Sequence, residues 1–456
     1  MSLCVVVLAA GKGTRMRSSL PKVLHPMAGR PMLDHVLGTA QELGAVANHV
    51  VYGFGGDQVQ AAMAHRDVHW HEQAEQLGTG HAVMQAIDEI ADDAHVLILY
   101  GDVPLLKATT LQALADLGGD DGLAVLTVMA ADPTGYGRIV RDGQNQVLAI
   151  VEHKDATDAQ REIREVNTGV MAARGHHLRG WLNRLDNDNQ QNEYYLTDIV
   201  ALAVADGVPV RAHVAEHEAE TMGVNDKVHL AEVEAEHRRR TADALMRDGV
   251  TLIDPSRIDV RGSLTCGEDV VIDVNAVFIG EVRLGDGVHI GPNNVVIDSE
   301  IEDGTVLHAN NVIEKSHLGP NCQIGPYARV RPETYLGSQV KLGNFVEVKK
   351  SNIAKGSKVN HLTYVGDATL GESVNVGAGT VTCNYDGANK HHTHLGDRVF
   401  IGSGTMLVAP VDVGEGATIG AGSVISKAAP AEKLTVSRSK QVTVDGWKRP
   451  VKNAKS

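Results

Sequence analysis

Cysteine is scarce in the 456-residue chain: Cys4, Cys266, Cys322 and Cys383 stand far apart and form no CxxC pair. That pattern argues against a disulfide scaffold or a structural zinc site, and it fits a reducing cytoplasm. Positive charge is also short, with 42 Lys and Arg against 57 Asp and Glu, a net −15. Neutralising a phosphate backbone needs a basic face, so no nucleic-acid partner is expected. Long apolar runs are missing too, and no stretch could cross a bilayer. Lys12 and Arg15 follow the apolar run 3–10 too closely for a signal peptide. Aromatic residues make up only 4% of the chain, whereas glycine reaches 48 residues, and its placement divides the sequence in two. At 456 residues the chain is too long for one ordinary core, so two or three domains are expected.

In the second half an aliphatic residue, often followed by glycine, returns every six positions. Ile272, Phe278, Leu284, Ile290 and Val296 form one run. Leu318, Ile324, Val330, Leu336, Leu342 and Val348 form another, and Leu395, Ile401, Leu407, Val413, Ile419 and Ile425 a third. The register slips by one residue at Ile301, Leu318, Ile353 and Leu370, then recovers. A period of six fits neither a 3.6-residue helix nor a simple alternating strand; it is the signature of a parallel β-helix. Three hexads make one triangular coil, so residues 270–427 supply roughly nine coils, each rising about 4.8 Å. The pattern resembles the hexapeptide-repeat acyltransferases, and the left hand of the β-helix is implied by that resemblance.

The first half alternates short apolar runs (5–10, 49–52, 96–100, 123–128) with amphipathic segments such as 32–43 and 82–90. That is the pattern of an open, Rossmann-like α/β sheet with crossover helices. Residues 226–248 read as a charged helix stopped by Gly249, long enough at roughly 30 Å to link two domains. The expected organisation is a first domain over 1–225, a helical linker over 226–249, a β-helix over 250–437 and a basic tail over 438–456. The tail carries Arg438, Lys440, Lys448 and Arg449 around Trp447.

The first strand runs into Leu8-Ala9-Ala10-Gly11-Lys12-Gly13-Thr14-Arg15-Met16, with Pro21-Lys22 close behind. Glycines there let backbone N–H groups approach phosphate oxygens, and Arg15 and Lys22 add charge. The spacing is neither a P-loop nor a dinucleotide fingerprint. Tyr100-Gly101-Asp102 ends another strand with a carboxylate, at the edge where open α/β sheets bind ligands. A plain turn aspartate is the other reading of Asp102.

These segments resemble the sugar-nucleotide pyrophosphorylases. Together with 73–80, 135–139, 151–154, 167–169 and 223–225, they resemble one family in particular. It is that of the bacterial bifunctional N-acetylglucosamine-1-phosphate uridylyltransferase and glucosamine-1-phosphate N-acetyltransferase. The resemblance implies a nucleotide-sugar site lined by Leu8, Ala9, Ala10, Gly11, Lys22, Gln73, Gly78, Thr79, Tyr100, Gly101, Asp102, Gly137, Glu152, Asn167 and Asn225. It also implies Mg²⁺ held by Asp102 and Asn225, with UTP as co-substrate. The sugar phosphate is already anionic, so the reaction needs cations more than a base, a role suited to Arg15 and Lys22.

On the β-helix, Arg331 and Lys349 fall one coil apart on the same face. Two cations stacked about 4.8 Å apart need an anion between them. Glu347 is one possible partner and a substrate phosphate the other. His361, Tyr364, Asn375, Asn384 and Tyr385 fall off the aliphatic register and are expected to point outward. Asn384 and Tyr385 open the loop 383–394, where the hexads break. A neutral imidazole suits removal of a proton from an amine that attacks a thioester. This region resembles the acetyltransferase half of the same family. That implies His361 as general base, Arg331, Lys349, Tyr364 and Asn375 around the amino-sugar phosphate, and Ala378, Asn384, Tyr385, Ser403, Ala421 and Arg438 on acetyl-CoA. Glu333 and Gly404 depart from the family pattern, which commonly has glycine and an acidic residue there. The run Lys390-His391-His392-Thr393-His394 reads as solvated loop rather than zinc site.

The expectation is therefore a cytoplasmic bifunctional enzyme taking small-molecule substrates. It acetylates glucosamine 1-phosphate, then joins the product to UMP with release of pyrophosphate. Family members are trimers with the acyl site between chains. The rival reading is a single-activity nucleotidyltransferase whose β-helix only assembles or regulates the oligomer.

Overall fold

The computed structural model describes residues 2–450 and Lys452; residues 451 and 453–456 of the expected tail lie outside the described residues. Its contacts divide the chain into two compact units, residues 1–240 and 241–456. No described helix is long and apolar enough to cross a membrane. All four cysteines are free thiols.

The first unit is built on a nine-stranded sheet. Its strands are β1 (Leu3–Ala9), β2 (Ala47–Tyr52), β3 (His69–Glu72), β4 (His95–Tyr100), β5 (Leu123–Met129), β6 (Arg138–Arg141), β7 (Val147–Val151), β8 (Glu165–Arg174) and β9 (Val210–Val214). The spatial order is β9-β5-β8-β4-β1-β2-β3, with the β6–β7 hairpin attached to β8. Strand β1 is apolar at every position and buried from Cys4 to Ala9, as a central parallel strand covered on both faces must be. Val5 and Val7 pack into one cluster, and Val6 and Leu8 into another on the opposite face. The chain winds from β1 outward through β2 to β3, then returns to place β4 on the other side of β1. That reversal opens a crevice at the carboxyl ends of β1 and β4. The sheet is mixed, because β8 runs antiparallel to both β4 and β5.

The charged segment forms the 21-residue helix Lys227–Arg247. Asp226 caps it, its carboxylate accepting from the backbone N–H groups of Val228 and His229 at 2.9 and 3.0 Å.

The second unit is a left-handed parallel β-helix. Every aliphatic residue of the hexad runs is buried, none more than 4% exposed. At the four slips the strands still pair directly, Leu284 with Ile301 and Ile353 with Leu370 among them, so each slip is a coil one residue shorter. One face carries eleven strands from Thr251 to Thr435, two more rungs than the hexads of 270–427 predict. The end rungs lack the repeat because each has a neighbour on one side only.

One corner of the coil is held in the left-handed region at every turn. Its lower coils place Asn275, Asn293 and Asn310 there, with amide-to-amide hydrogen bonds of 2.8 and 3.1 Å stacking them. The middle coils place Tyr327, Phe345 and Leu362 there, all exposed, and the upper coils Gly379, Gly404 and Gly422. Asparagine and glycine adopt this conformation at little cost, whereas bulky residues do not. The strain marks the middle coils as different from scaffold.

Candidate active sites

In the first unit the side chains of Leu8, Ala9 and Ala10 are buried, so only their backbone can meet a ligand. Gly11 follows with open space beside its Cα, and Arg15 lies exposed on the short 3₁₀ turn Thr14–Met16. Lys22 begins the next 3₁₀ turn, and its ammonium donates to the Asp102 carboxylate and to the Asn225 carbonyl oxygen at 3.4 Å. The Val224 N–H donates to the Asp102 carbonyl at 2.9 Å, which ties the 223–225 segment to the end of β4. Two hard oxygen donors from distant parts of the chain thus converge on one cation. That donor set fits Mg²⁺, which takes carboxylate and carbonyl oxygens together with substrate phosphates.

The remaining predicted residues gather on the adjoining side. Gln73 is buried and donates to the Gly78 carbonyl at 3.0 Å. Thr79 accepts from the Leu196 N–H at 3.1 Å, and its hydroxyl meets the Tyr100 phenol. The Tyr100 ring lies against Gly169, where a Cβ would come within 2.5 Å of it and where φ is +87°. The Asn167 N–H donates to the Gly137 carbonyl at 2.9 Å. A Cβ on Gly137 would meet the Glu152 carboxylate at 3.3 Å. Burial pushes the Glu152 carboxyl above the usual range against a 3.2 Å hydrogen bond from Thr197, and burial raises the Tyr100 phenol as well. Gly101 packs closely against Val23, Leu33 and Ala9, which brings the two strand ends together. One side of the crevice therefore offers cations, the other uncharged hydrogen-bonding groups together with the half-buried Glu152 carboxyl.

On the β-helix the corner preceding the strained residues forms a line. The backbone carbonyls of Asn344, His361, Ala378 and Ser403 each accept from the residue that turns the next coil, at 2.7 to 3.3 Å. The Ala421 carbonyl accepts from the Arg438 guanidinium at 3.0 Å. His361, Ala378, Ser403, Ala421 and Arg438 thus rise along one edge. Around that corner, Lys349 pairs in register with Gly366, where a Cβ would meet the Tyr364 hydroxyl at 2.3 Å. Arg331 binds Glu347 at 2.7 Å, so in this state the carboxylate is its partner. Lys349 meets a second ammonium, Lys390, and that contact lowers its pKa, with Arg331 adding to the effect.

Asn384 corrects an expectation. It is buried rather than outward, donating to the Asp367 carboxylate at 2.5 Å and to the Tyr364 hydroxyl at 3.4 Å. A polar residue off the aliphatic register can face inward when the loop it opens folds back over it. Tyr385 is exposed and bridges to Lys390, which returns the loop over Lys349. Asn375 stands apart, on the face between Lys358 and Phe400 rather than that of Lys349 and Tyr364. Lys390, Asp367 and Thr197 were not anticipated. For Lys390 the signal was present, since a loop that leaves the coil near 384 and rejoins at Thr393 must lay its last residues on that face. The histidines of this loop are paired singly, His391 with Asp386 at 2.7 Å and His392 with the Thr369 hydroxyl at 3.0 Å. Glu333 and Gly404 both have positive φ, +63° and +70°, which explains glycine as the easy occupant at either position.

Residues 5–177 match the MobA-like NTP transferase domain, and residues 392–427 match the bacterial transferase hexapeptide repeat. The chain is 59% identical to the bifunctional protein GlmU of an Azoarcus species over 98% of its own length and 99% of the relative's. The GlmU proteins of Alkalilimnicola ehrlichii and Ralstonia pickettii are 58% and 56% identical, covering 98% and 99% of this chain and 97% and 99% of theirs. The chain belongs to the GlmU family. It is the bifunctional family whose motifs the sequence resembles, and the protein is both a nucleotidyltransferase and an acetyltransferase. A β-helix serving only as scaffold, the rival reading, is set aside by that membership.

Proposed function

We propose that the two sites act in sequence on one product: glucosamine 1-phosphate is acetylated on the β-helix, and the resulting N-acetylglucosamine 1-phosphate is uridylylated in the α/β unit. In the first step His361 accepts the proton as the amine nitrogen attacks the acetyl carbonyl, and the C–S bond breaks to release CoA. Lys349, Lys390 and Arg331 hold the sugar phosphate, which supplies the anion that the ammonium pair needs. Tyr364 orients the sugar. The small side chains of Ala378, Ser403 and Ala421 let acetyl-CoA lie along the edge toward Arg438, with Asn384 and Tyr385 at the loop. Asn375 lies on an adjoining face, and a homotrimer would bring one chain's Asn375 to another chain's Lys349 and Tyr364.

In the second step a sugar-phosphate oxygen attacks the α-phosphorus of UTP and the bond to pyrophosphate breaks. Lys22 and Arg15 carry the developing charge on the phosphates. Gln73, Gly78, Thr79, Tyr100, Gly101, Gly137, Glu152 and Asn167 supply hydrogen-bonding and packing contacts for uracil and sugar, while the backbone of 8–11 meets the phosphates. Asp102 and Asn225 would hold Mg²⁺, which when bound offsets phosphate charge. A reducing cytoplasm, which suits four free cysteines, is the proposed location. The division into 1–225, 226–249, 250–437 and 438–456 is proposed as the working domain map.

The observation that supports this reading most is the edge of His361, Ala378, Ser403, Ala421 and Arg438 beside the cluster of Lys349, Lys390 and Arg331. Truncation before Ser437 is the test. Acetyl transfer should be abolished and uridylyl transfer spared; loss of both, or of neither, would refute the tail's role.

A further inference from the structure

Strands β2 and β3 lie at the edge of the first unit's sheet, and their register sets three imidazoles on one face. His49 pairs directly with His69, and His71 lies diagonally beside it. The rings are stacked, with centroids 4.9 Å apart for His49 and His69 and 5.2 Å for His49 and His71. His49 and His71 are only 2% and 8% exposed, yet their Nδ1 and Nε2 atoms face each other at 3.0 Å. Glu89, just beyond the helix Thr79–Ile87, brings a carboxylate oxygen to 3.9 Å from His71 Nε2 and 3.5 Å from His69 Nδ1. The nitrogen and oxygen donors of His49, His71 and Glu89 all lie within 4.8 Å of one another.

None of these residues contributes to either reaction. A buried pair of imidazoles needs a partner, and each could serve the other. A carboxylate aimed at the same point, with a third imidazole at its rim, is more than such a pair requires. We propose that His49, His71 and Glu89 form a binding site for a divalent transition metal of the zinc class, with His69 at the open side. Ligands on a tetrahedral zinc at about 2.0–2.1 Å stand roughly 3.3 Å apart, between the spacings of 3.0 and 3.9 Å found here. Imidazole with carboxylate selects Zn²⁺, Ni²⁺, Co²⁺ or Cu²⁺ over Mg²⁺ or Ca²⁺. His71 also hydrogen-bonds the Gln85 backbone, the kind of outer contact that fixes a ligating ring. The metal enters past His69 and Glu89, whose side chains are 56% and 59% exposed. It would join β2, β3 and the end of the helix across the 73–79 loop, and the inference does not depend on what that loop binds.

The test uses the metal-free full-length protein titrated with Co²⁺ and, against a chromophoric chelator, with Zn²⁺. One site per chain is expected, with the visible d–d bands of a low-coordinate Co²⁺. Glu89→Gln, at an exposed position that should not disturb folding, is expected to weaken Zn²⁺ at least tenfold, and His71→Ala to abolish the Co²⁺ bands. The double variant His391→Ala/His392→Ala should change neither. Unaltered stoichiometry and affinity in Glu89→Gln and His71→Ala, or no d–d spectrum in the wild type, would overturn the proposal.

Discussion

The two candidate sites, each proposed to hold a phosphate, start from opposite electrostatic positions. In the α/β unit the cation is already balanced: Lys22 sits between the Asp102 carboxylate and the Asn225 carbonyl, with Lys22 and Asp102 about 15% and 14% exposed. On the β-helix two ammoniums meet each other beside the Arg331 guanidinium, and the carboxylate that acts on both of them, Asp367, also accepts from the Asn384 amide. The first site is held together without ligand. The second gathers Lys349, Lys390 and Arg331 around one another, so an added anion is expected to relieve repulsion there. A balanced site should lose stability when its cation is removed, and an unbalanced one should not.

The largest effect is expected at Lys22. Lys22→Ala should lower uridylyl turnover roughly 10²–10³-fold while changing uridine-nucleotide binding little, measured by kcat beside a binding titration. The same variant should destabilise the unit by roughly 1–3 kcal/mol, less than a fully buried pair because water reaches both groups. Lys349→Ala and Lys390→Ala should each raise KM for glucosamine 1-phosphate roughly 10–100-fold, the scale of a lost charge-assisted hydrogen bond. Lys349→Ala should not lower the Tm of the free protein, since Lys390 and Arg331 hold the Lys349 pKa down and the substitution removes that repulsion. A fall in Tm at Lys349 equal to that at Lys22 would erase the distinction between the sites. The smallest effect concerns the strained corner. Leu362→Asn should stabilise the free chain by about 1 kcal/mol, because asparagine tolerates the left-handed backbone that leucine resists, read as a rise in unfolding midpoint. The stacked pair Tyr327 and Phe345 is a poorer place to test this, since their ring contact at 5.3 Å offsets part of the gain.

Much of this was legible in the sequence because repetition leaves a mark. Each hexad position such as Ile290 or Val348 faces inward, since every coil repeats the same burial. The Gly-rich turn after β1 and the strand-ending Asp102 carry their geometry locally. What could not be read lies where distant segments meet. Spacing puts Lys349 above Arg331 and marks a loop that rejoins the coil at Thr393, but it does not say which side chain of that loop meets Lys349. Nor does it say that Asn384 turns inward to Asp367. The corner ladder recurs at the coil spacing but in unlike residues, asparagines, then Tyr327, Phe345 and Leu362, then glycines, and what they share is a φ that residue type alone does not reveal. The imidazoles at 49, 69 and 71 lie in two runs whose register no local rule supplies.

The central claim is that one chain carries two independent active sites, with His361 the base of one. The most direct test supplies glucosamine 1-phosphate, acetyl-CoA, UTP and Mg²⁺, and follows thiol and pyrophosphate release separately in wild type and His361→Ala. Each reaction is also run with N-acetylglucosamine 1-phosphate in place of the amino sugar. The wild type should give both signals. The variant should lose thiol release by roughly 10²–10⁴-fold, the span of general-base catalysis, and keep full pyrophosphate release from N-acetylglucosamine 1-phosphate. Thiol release that persists in His361→Ala, or pyrophosphate release that falls with it on the acetylated substrate, would contradict the account.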